Sequence, residues 1–155
     1  MSQFKPLQIY NASAGSGKTY TLVQEYLRIV LNKDKPNYFT KIMAMTFTNK
    51  AANEMKSRII ESLISLKVPM HSKTGEQVSF LKDTSKNLGI EEKKLIERSD
   101  DVLNAILHNY GAFSIMTIDK FTHKVIRTFS RDLNLSVDFD VEMDVTIGIF
   151  RSQKQ

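Results

Sequence analysis

The chain has 155 residues, 41% hydrophobic and 25% charged, enough for one globular domain with a buried core. It contains no cysteine, which excludes a disulfide scaffold and any thiolate metal site, and no apolar run of membrane-spanning length. The formal net charge of +5 favours a polyanionic partner without naming one, and the N-terminus lacks a signal-peptide layout, so a cytoplasmic protein without a membrane partner is expected.

Residues 1–6 read as a lead-in, and Leu7-Gln8-Ile9-Tyr10 as a short apolar strand. Ala12-Ser13-Ala14-Gly15-Ser16-Gly17-Lys18-Thr19 follows, then a helical pattern to about Asn32 with Val23, Tyr26, Leu27, Val30 and Leu31 on one face. Strand, glycine-containing loop, Lys-Thr and helix form the layout of a phosphate-binding P-loop. Small residues let backbone N–H groups approach phosphate oxygens, and the helix N-terminus adds partial positive charge. In such a loop Lys18 reaches the β- and γ-phosphates of ATP and the Thr19 hydroxyl ligates Mg²⁺. Residues 12–19 and the adjoining Tyr20 therefore make up the expected nucleotide site, with Lys18 and Thr19 as its catalytic members. The general pattern begins with Gly, where this chain has Ala12.

After a polar loop over 32–37, Lys41-Ile42-Met43-Ala44-Met45-Thr46-Phe47 predicts a buried parallel strand. Thr48-Asn49 offers a helix cap, and Ala52, Met55, Ile59, Leu63 and Leu66 share the next helical stripe. This strand–helix alternation predicts an α/β fold, a parallel sheet flanked by helices. Residues 68–75 read as a loop. The charged, weakly periodic stretch beyond suggests a helical insertion on the surface, spanning about 67–110, with helix starts near Glu91 and again at Asp101. Phe113 to Ile118 is a third strand candidate, with Asp119 as the N-cap of a helix to about Ser130. On that helix Lys120, Lys124, Arg127 and Arg131 share one sector at about 100° per residue, opposite Phe121, Val125 and Phe129. Such a helix either presents cations to phosphates or simply solvates its outer face. Val137 to Glu142 alternates like a half-buried strand, and the assignment of residues 133–155 stays open.

Three of these stretches carry a family resemblance. Residues 12–19 resemble motif I of superfamily 1 DNA helicases of the UvrD/Rep type, in which Ala commonly replaces the first Gly. Thr46-Phe47-Thr48-Asn49-Lys50-Ala51-Ala52-Asn53-Glu54-Met55 closely resembles their motif Ia. Thr117-Ile118-Asp119-Lys120-Phe121 is similar to a later DNA-contacting motif. The ASAGSGKT version is more similar to the RecB/AddA helicase–nuclease branch. The resemblance runs from about residue 7 to 131, with 67–100 unmatched. It implies a RecA-like P-loop ATPase whose Thr46, Phe47, Thr48, Asn49, Lys50, Thr117, Asp119, Lys120 and Phe121 line a single-stranded DNA path. Phe47 would stack on a base, while Thr48, Asn49 and the following helix N-terminus would hold a phosphate without reading sequence. Phe121 reads equally well as core.

Other expected parts of such a motor are not legible. Its adenine-contacting glutamine motif lies well upstream of the P-loop, and Gln8 is too close to serve. No apolar strand ends in an Asp-Glu pair, Asp138, Asp140 and Glu142 lying in the alternating segment, and no second domain supplies arginines for phosphoryl transfer. His71, His108 and His123 have no metal-ligand spacing. The expectation is the N-terminal ATP-binding portion of a DNA repair or recombination helicase, without turnover alone. Its expected partners are single-stranded DNA, the remaining domains of the parent, and a second nuclease or helicase subunit. An unrelated P-loop kinase, or an inert P-loop binding module, is the alternative.

Overall fold

The computed structural model describes Leu7, Ile9, residues 17–68 and residues 73–130. Gln8, Tyr10, Ala12 to Ser16, His71, Arg131 and the C-terminal candidates Asp138, Asp140 and Glu142 lie outside the described residues. The chain divides into two compact units, Met1–Thr117 and Ile118–Gln155.

In the first unit, helix α1 (Lys18–Leu31) buries Val23, Tyr26, Leu27, Val30 and Leu31, the face its periodicity predicts. The chain then passes through a polar loop into a 3₁₀ turn, Pro36–Lys41, with Pro36 in its first turn. Strand β1 is confined to Ala44–Thr46, shorter than the predicted 41–47. The cause is Phe39, which is fully buried and holds Lys41 inside the turn; extended pairing begins only at Ala44, whose amide donates to Ser114 O at 3.0 Å. Nor is β1 buried on both faces, since Met45 is about half exposed, as is Met43 just before the strand. Of the expected first strand, the described Leu7 and Ile9 are exposed and carry no strand assignment.

Helix α2 (Asn49–Lys67) buries Ala52, Met55, Ile59, Leu63 and Leu66, again the stripe read from the sequence. Helix α3 (Gly75–Leu88) opens on a capping box, Thr74 accepting from the Gln77 amide while the Gln77 side chain accepts from the Thr74 amide. Gly89 closes it in the left-handed region at φ 64°. Helix α4 runs unbroken over Glu92–His108, so Asp101 starts no new helix. Nor is this stretch superficial. α4 buries Leu95, Ser99, Val102, Leu103 and Ile106, mainly against α2, and α3 contributes the fully buried Leu81. A short turn, Tyr110–Ala112, leads into β2 (Ile115–Thr117), which pairs in parallel with β1. Helix α2 packs on this pair. Arg98 of α4 donates from Nη1 to Leu31 O at 2.9 Å and pairs with Asp34, closing the open carbonyl end of α1.

The second unit contributes α5 (Ile118–Thr128), which has no fully buried residue. Helical geometry begins at Ile118, so Asp119 lies inside the first turn, where its charge favours the helix dipole, and is not the cap. Lys120, Lys124 and Arg127 are exposed as expected. Phe121 is half-buried, whereas Val125 and Phe129 are exposed, so the apolar side of α5 is only partly covered among the described residues.

Two stability outcomes follow from the first unit. Leu63→Ala should cost about 2–5 kcal/mol in urea unfolding, because the side chain is fully buried among helices that cannot collapse around it. Tyr26 is 4% exposed and its hydroxyl has no hydrogen-bond partner among the described residues, so Tyr26→Phe should be near neutral or stabilising. Burial also raises the Tyr26 phenol well above its ordinary range. Above pH ~10 the unfolded phenol ionises first, so the native protein should lose stability faster than Tyr26→Phe as pH rises. Unfolding curves of the two proteins from pH 8 to 11 would show parallel stabilities if that burial had no effect.

Candidate nucleotide and nucleic-acid site

The site residues fall at the start of α1, at the corner between β1 and α2, and at the end of β2. Helix α1 starts after Gly17, which sits in the left-handed region at φ 77°, a conformation that costs glycine nothing and other residues strain. No side chain caps this end and its first turn carries no acidic residue. The Gly17 carbonyl takes the Thr21 amide at 3.0 Å and the Thr21 hydroxyl at 3.3 Å, leaving the earlier first-turn amides without an intrahelical acceptor. Lys18 is exposed, Thr19 half-buried and Tyr20 exposed. Partial positive charge, amides without an intrahelical acceptor and a cation thus coincide at one helix end, a fit for a phosphate.

The β1–α2 corner is built by threonines. Thr46 Oγ1 donates to Thr48 O at 3.0 Å across the turn, and Thr48 Oγ1 accepts from the Ala51 amide at 3.1 Å as the N-cap of α2. Between them Phe47 is 87% exposed, so a buried strand-end aromatic is ruled out at this position. Asn49 and Lys50 are exposed on the first turn, which has no acidic residue. An exposed ring beside a helix N-terminus and a lysine offers stacking and phosphate contact together.

Parallel pairing sets Ala44 opposite Ile115, Met45 opposite Met116 and Thr46 opposite Thr117. Both threonine-bearing motifs therefore leave the sheet at the same edge, side by side. Thr117 itself is 4% exposed, so its side chain is not presented to solvent in this conformation. Asp119 and Lys120 are exposed on α5 and Phe121 is half-buried there. His108 Nδ1 lies 2.7 Å from Asn104 O, and His123 buries an Nε2 without a partner among the described residues. Among the described residues, no group of three or more His, Asp or Glu side chains could hold a metal ion.

Comparison with known families decides the wider relationship. Residues 3–153 match the UvrD/REP helicase N-terminal domain. The chain belongs to that family. Similar proteins include the ATP-dependent helicase/nuclease subunit (AddA) of Exiguobacterium sibiricum, 28% identical over 149 residues, covering 80% of this chain and 12% of that protein. The protein of the same description from Clostridium acetobutylicum is 28% identical over 143 residues, covering 92% of this chain and 9% of its own length. That from Bacillus cytotoxicus is 38% identical over 76 residues, 48% of this chain and 6% of its own. The chain thus spans about a tenth of the length of the first and second of these relatives. No solved structure matches it. Among the described residues no helix is long and apolar enough to cross a membrane.

The corner geometry makes a specific demand on Thr48. Thr48→Ala removes the cap of α2 and should lower stability by about 1 kcal/mol, whereas Thr48→Ser should retain most of it. Equal melting of the two variants would show that the cap contributes nothing.

Proposed function

We propose that this chain forms the start of a RecA-like ATP-binding domain in a helicase–nuclease that translocates on single-stranded DNA during repair or recombination. The observation that carries the reading is the β1–α2 corner: Phe47 projects into solvent beside the exposed Asn49 and Lys50 of a threonine-capped helix. An unpaired base stacks on such a ring whatever its identity, and the adjoining phosphate meets amides and a cation. That chemistry suits a motor, which must grip any sequence and release it.

At the other end of the reading stands ATP with Mg²⁺. The uncapped, acid-free N-terminus of α1 fits the phosphates, with Lys18 as their cation and the Thr19 hydroxyl as a ligand for the metal. Bound ATP would supply the phosphoryl-transfer chemistry. The chain's own residues bind and orient it: Gly17 turns the backbone, the first-turn amides donate, and Lys18 counters charge. Turnover in such a motor needs an acidic strand end and arginines from a second domain, so these 155 residues assayed by themselves should bind nucleotide weakly and turn it over negligibly. The proposed partners in the whole protein are its remaining domains and a second nuclease or helicase subunit.

Two measurements test the proposal. Calorimetry should detect weak ATP binding by the wild type and none by Lys18→Ala, and turnover by this chain that Lys18→Ala removed would contradict the expected inactivity. In fluorescence anisotropy, a single-stranded oligonucleotide should bind weakly, more weakly as salt rises, and several-fold more weakly still to Phe47→Ala/Lys50→Ala. Single-strand affinity untouched by the double substitution would remove the corner from the DNA path.

A further inference from the structure

A second concentration of positive charge lies at the opposite end of β1, on the segment that leads into it. Lys33 and Lys41 both direct their ammonium groups at the ring of Tyr38, with Nζ 5.3 Å and 6.0 Å from its centroid. Lys35 stands between them at the entry to the 3₁₀ turn. The three lysines are exposed and none is ion-paired among the described residues. Asp34 is the only carboxylate in the segment, and Arg98 from α4 already engages it. Within the segment no carboxylate is left to offset the three lysines.

The segment is also held in place. Phe39, next to Tyr38, is fully buried and meets Phe113 edge-on with centroids 6.3 Å apart. Pro36 fixes the start of the turn and Arg98 ties the preceding loop to α4. A cluster of like charges on a fixed platform costs little further ordering when an anion docks. No large apolar side chain between 32 and 41 is exposed, so nothing there would enter a lipid surface or bury against an apolar protein face. Two of the three cations already sit at the Tyr38 ring, so the surface reads charge and not bases.

We propose that Lys33, Lys35 and Lys41, organised by Tyr38, form a second nucleic-acid contact that grips the phosphate backbone. The strand rises about 3.3 Å per residue, so this contact and Phe47 are separated by roughly the length of β1 and its flanks. The proposal rests on the nucleic-acid reading above but not on its single-strand path. A phosphate backbone is offered by duplex and single strand alike, and the patch accepts either.

The experiment is anisotropy on the 155-residue chain with a labelled single strand and a duplex of equal length, across a salt series. The wild type is compared with Lys33→Glu/Lys35→Glu/Lys41→Glu and with Phe47→Ala/Lys50→Ala. The triple variant should lose about tenfold or more in affinity at low salt, with the slope of log K against log salt shallower by roughly 2 to 3. Loss on one probe alone would support the contact and assign its source to that form of nucleic acid. Unchanged affinity and slope on both probes would overturn it, even while the Phe47 variant still weakened single-strand binding. The reverse pattern would keep this contact and discard the corner. Displacement by poly-glutamate as effective per charge as by DNA would also overturn it, in favour of an acidic protein partner. Should the charge-reversed triple variant melt early, Lys33→Gln/Lys35→Gln/Lys41→Gln must show a smaller loss in the same direction.

Discussion

Phe113 is the point on which the first unit converges. Its ring is buried and meets Tyr26 of α1 edge-on at 5.9 Å, Phe39 of the 3₁₀ turn at 6.3 Å and Tyr110 at 5.9 Å. Lys56 of α2 lays its ammonium over both Tyr110 and Phe113, at 5.1 and 5.9 Å. Phe113 thus ties two helices and two turns to the entry of β2. Edge-on aromatic pairs add about 0.5–1.5 kcal/mol each beyond the area they bury, and they fix angles as well as distances. Because β2 starts two residues later, the register that places Thr46 beside Thr117 depends on this cluster holding its geometry.

Much of that architecture can be read directly from the residues. The buried faces of α1 and α2 coincide with their apolar stripes, since no polar residue interrupts either one. Helix α4 is harder because Ser99 occupies a core position in its stripe. Its hydroxyl donates to Leu95 O at 2.7 Å, so burial leaves no polar group unsatisfied, yet a serine beside two aspartates reads as a break. The start of α3 carries a usable signal, Thr74 three residues before Gln77, in the capping-box spacing. β1 is shorter than its apolar run because the buried Phe39 keeps Lys41 in the 3₁₀ turn, which residue type does not reveal, and the run itself looks alike whether one or both faces are covered. At the site, the β1–α2 corner is legible as a motif, but neither the exposure of Phe47 nor the burial of Thr117 follows from residue type. The lysines around Tyr38 read only as loop, since their convergence depends on the fold of the turn.

The helix beginnings divide into two kinds. α2 and α3 start with a threonine whose hydroxyl satisfies one of its own backbone donors, so those ends are complete within the chain. α1, after Gly17, and α4, after Glu91, start with no side-chain cap, so their first amides have no such partner among the described residues. At φ 77° a Ser, Thr or Asp at position 17 would be strained, so the glycine that turns the chain here also leaves this end without a side-chain cap. On the function proposed above, the α1 end is the one that meets a phosphate.

The turn from Thr46 to Thr48 has a thermodynamic consequence. Its backbone is already fixed by a hydrogen bond from one threonine and a cap from the other. On the function proposed above, only the two torsions of the Phe47 side chain would remain to be ordered when a base stacked there, an entropic cost of about 0.5–1.5 kcal/mol. A stack on a base is worth about 1–3 kcal/mol, so the net grip at this point is shallow. Shallow wells exchange quickly. On the function proposed above, Phe47 would be vacated and reoccupied by successive nucleotides without becoming the slow step of movement along a strand.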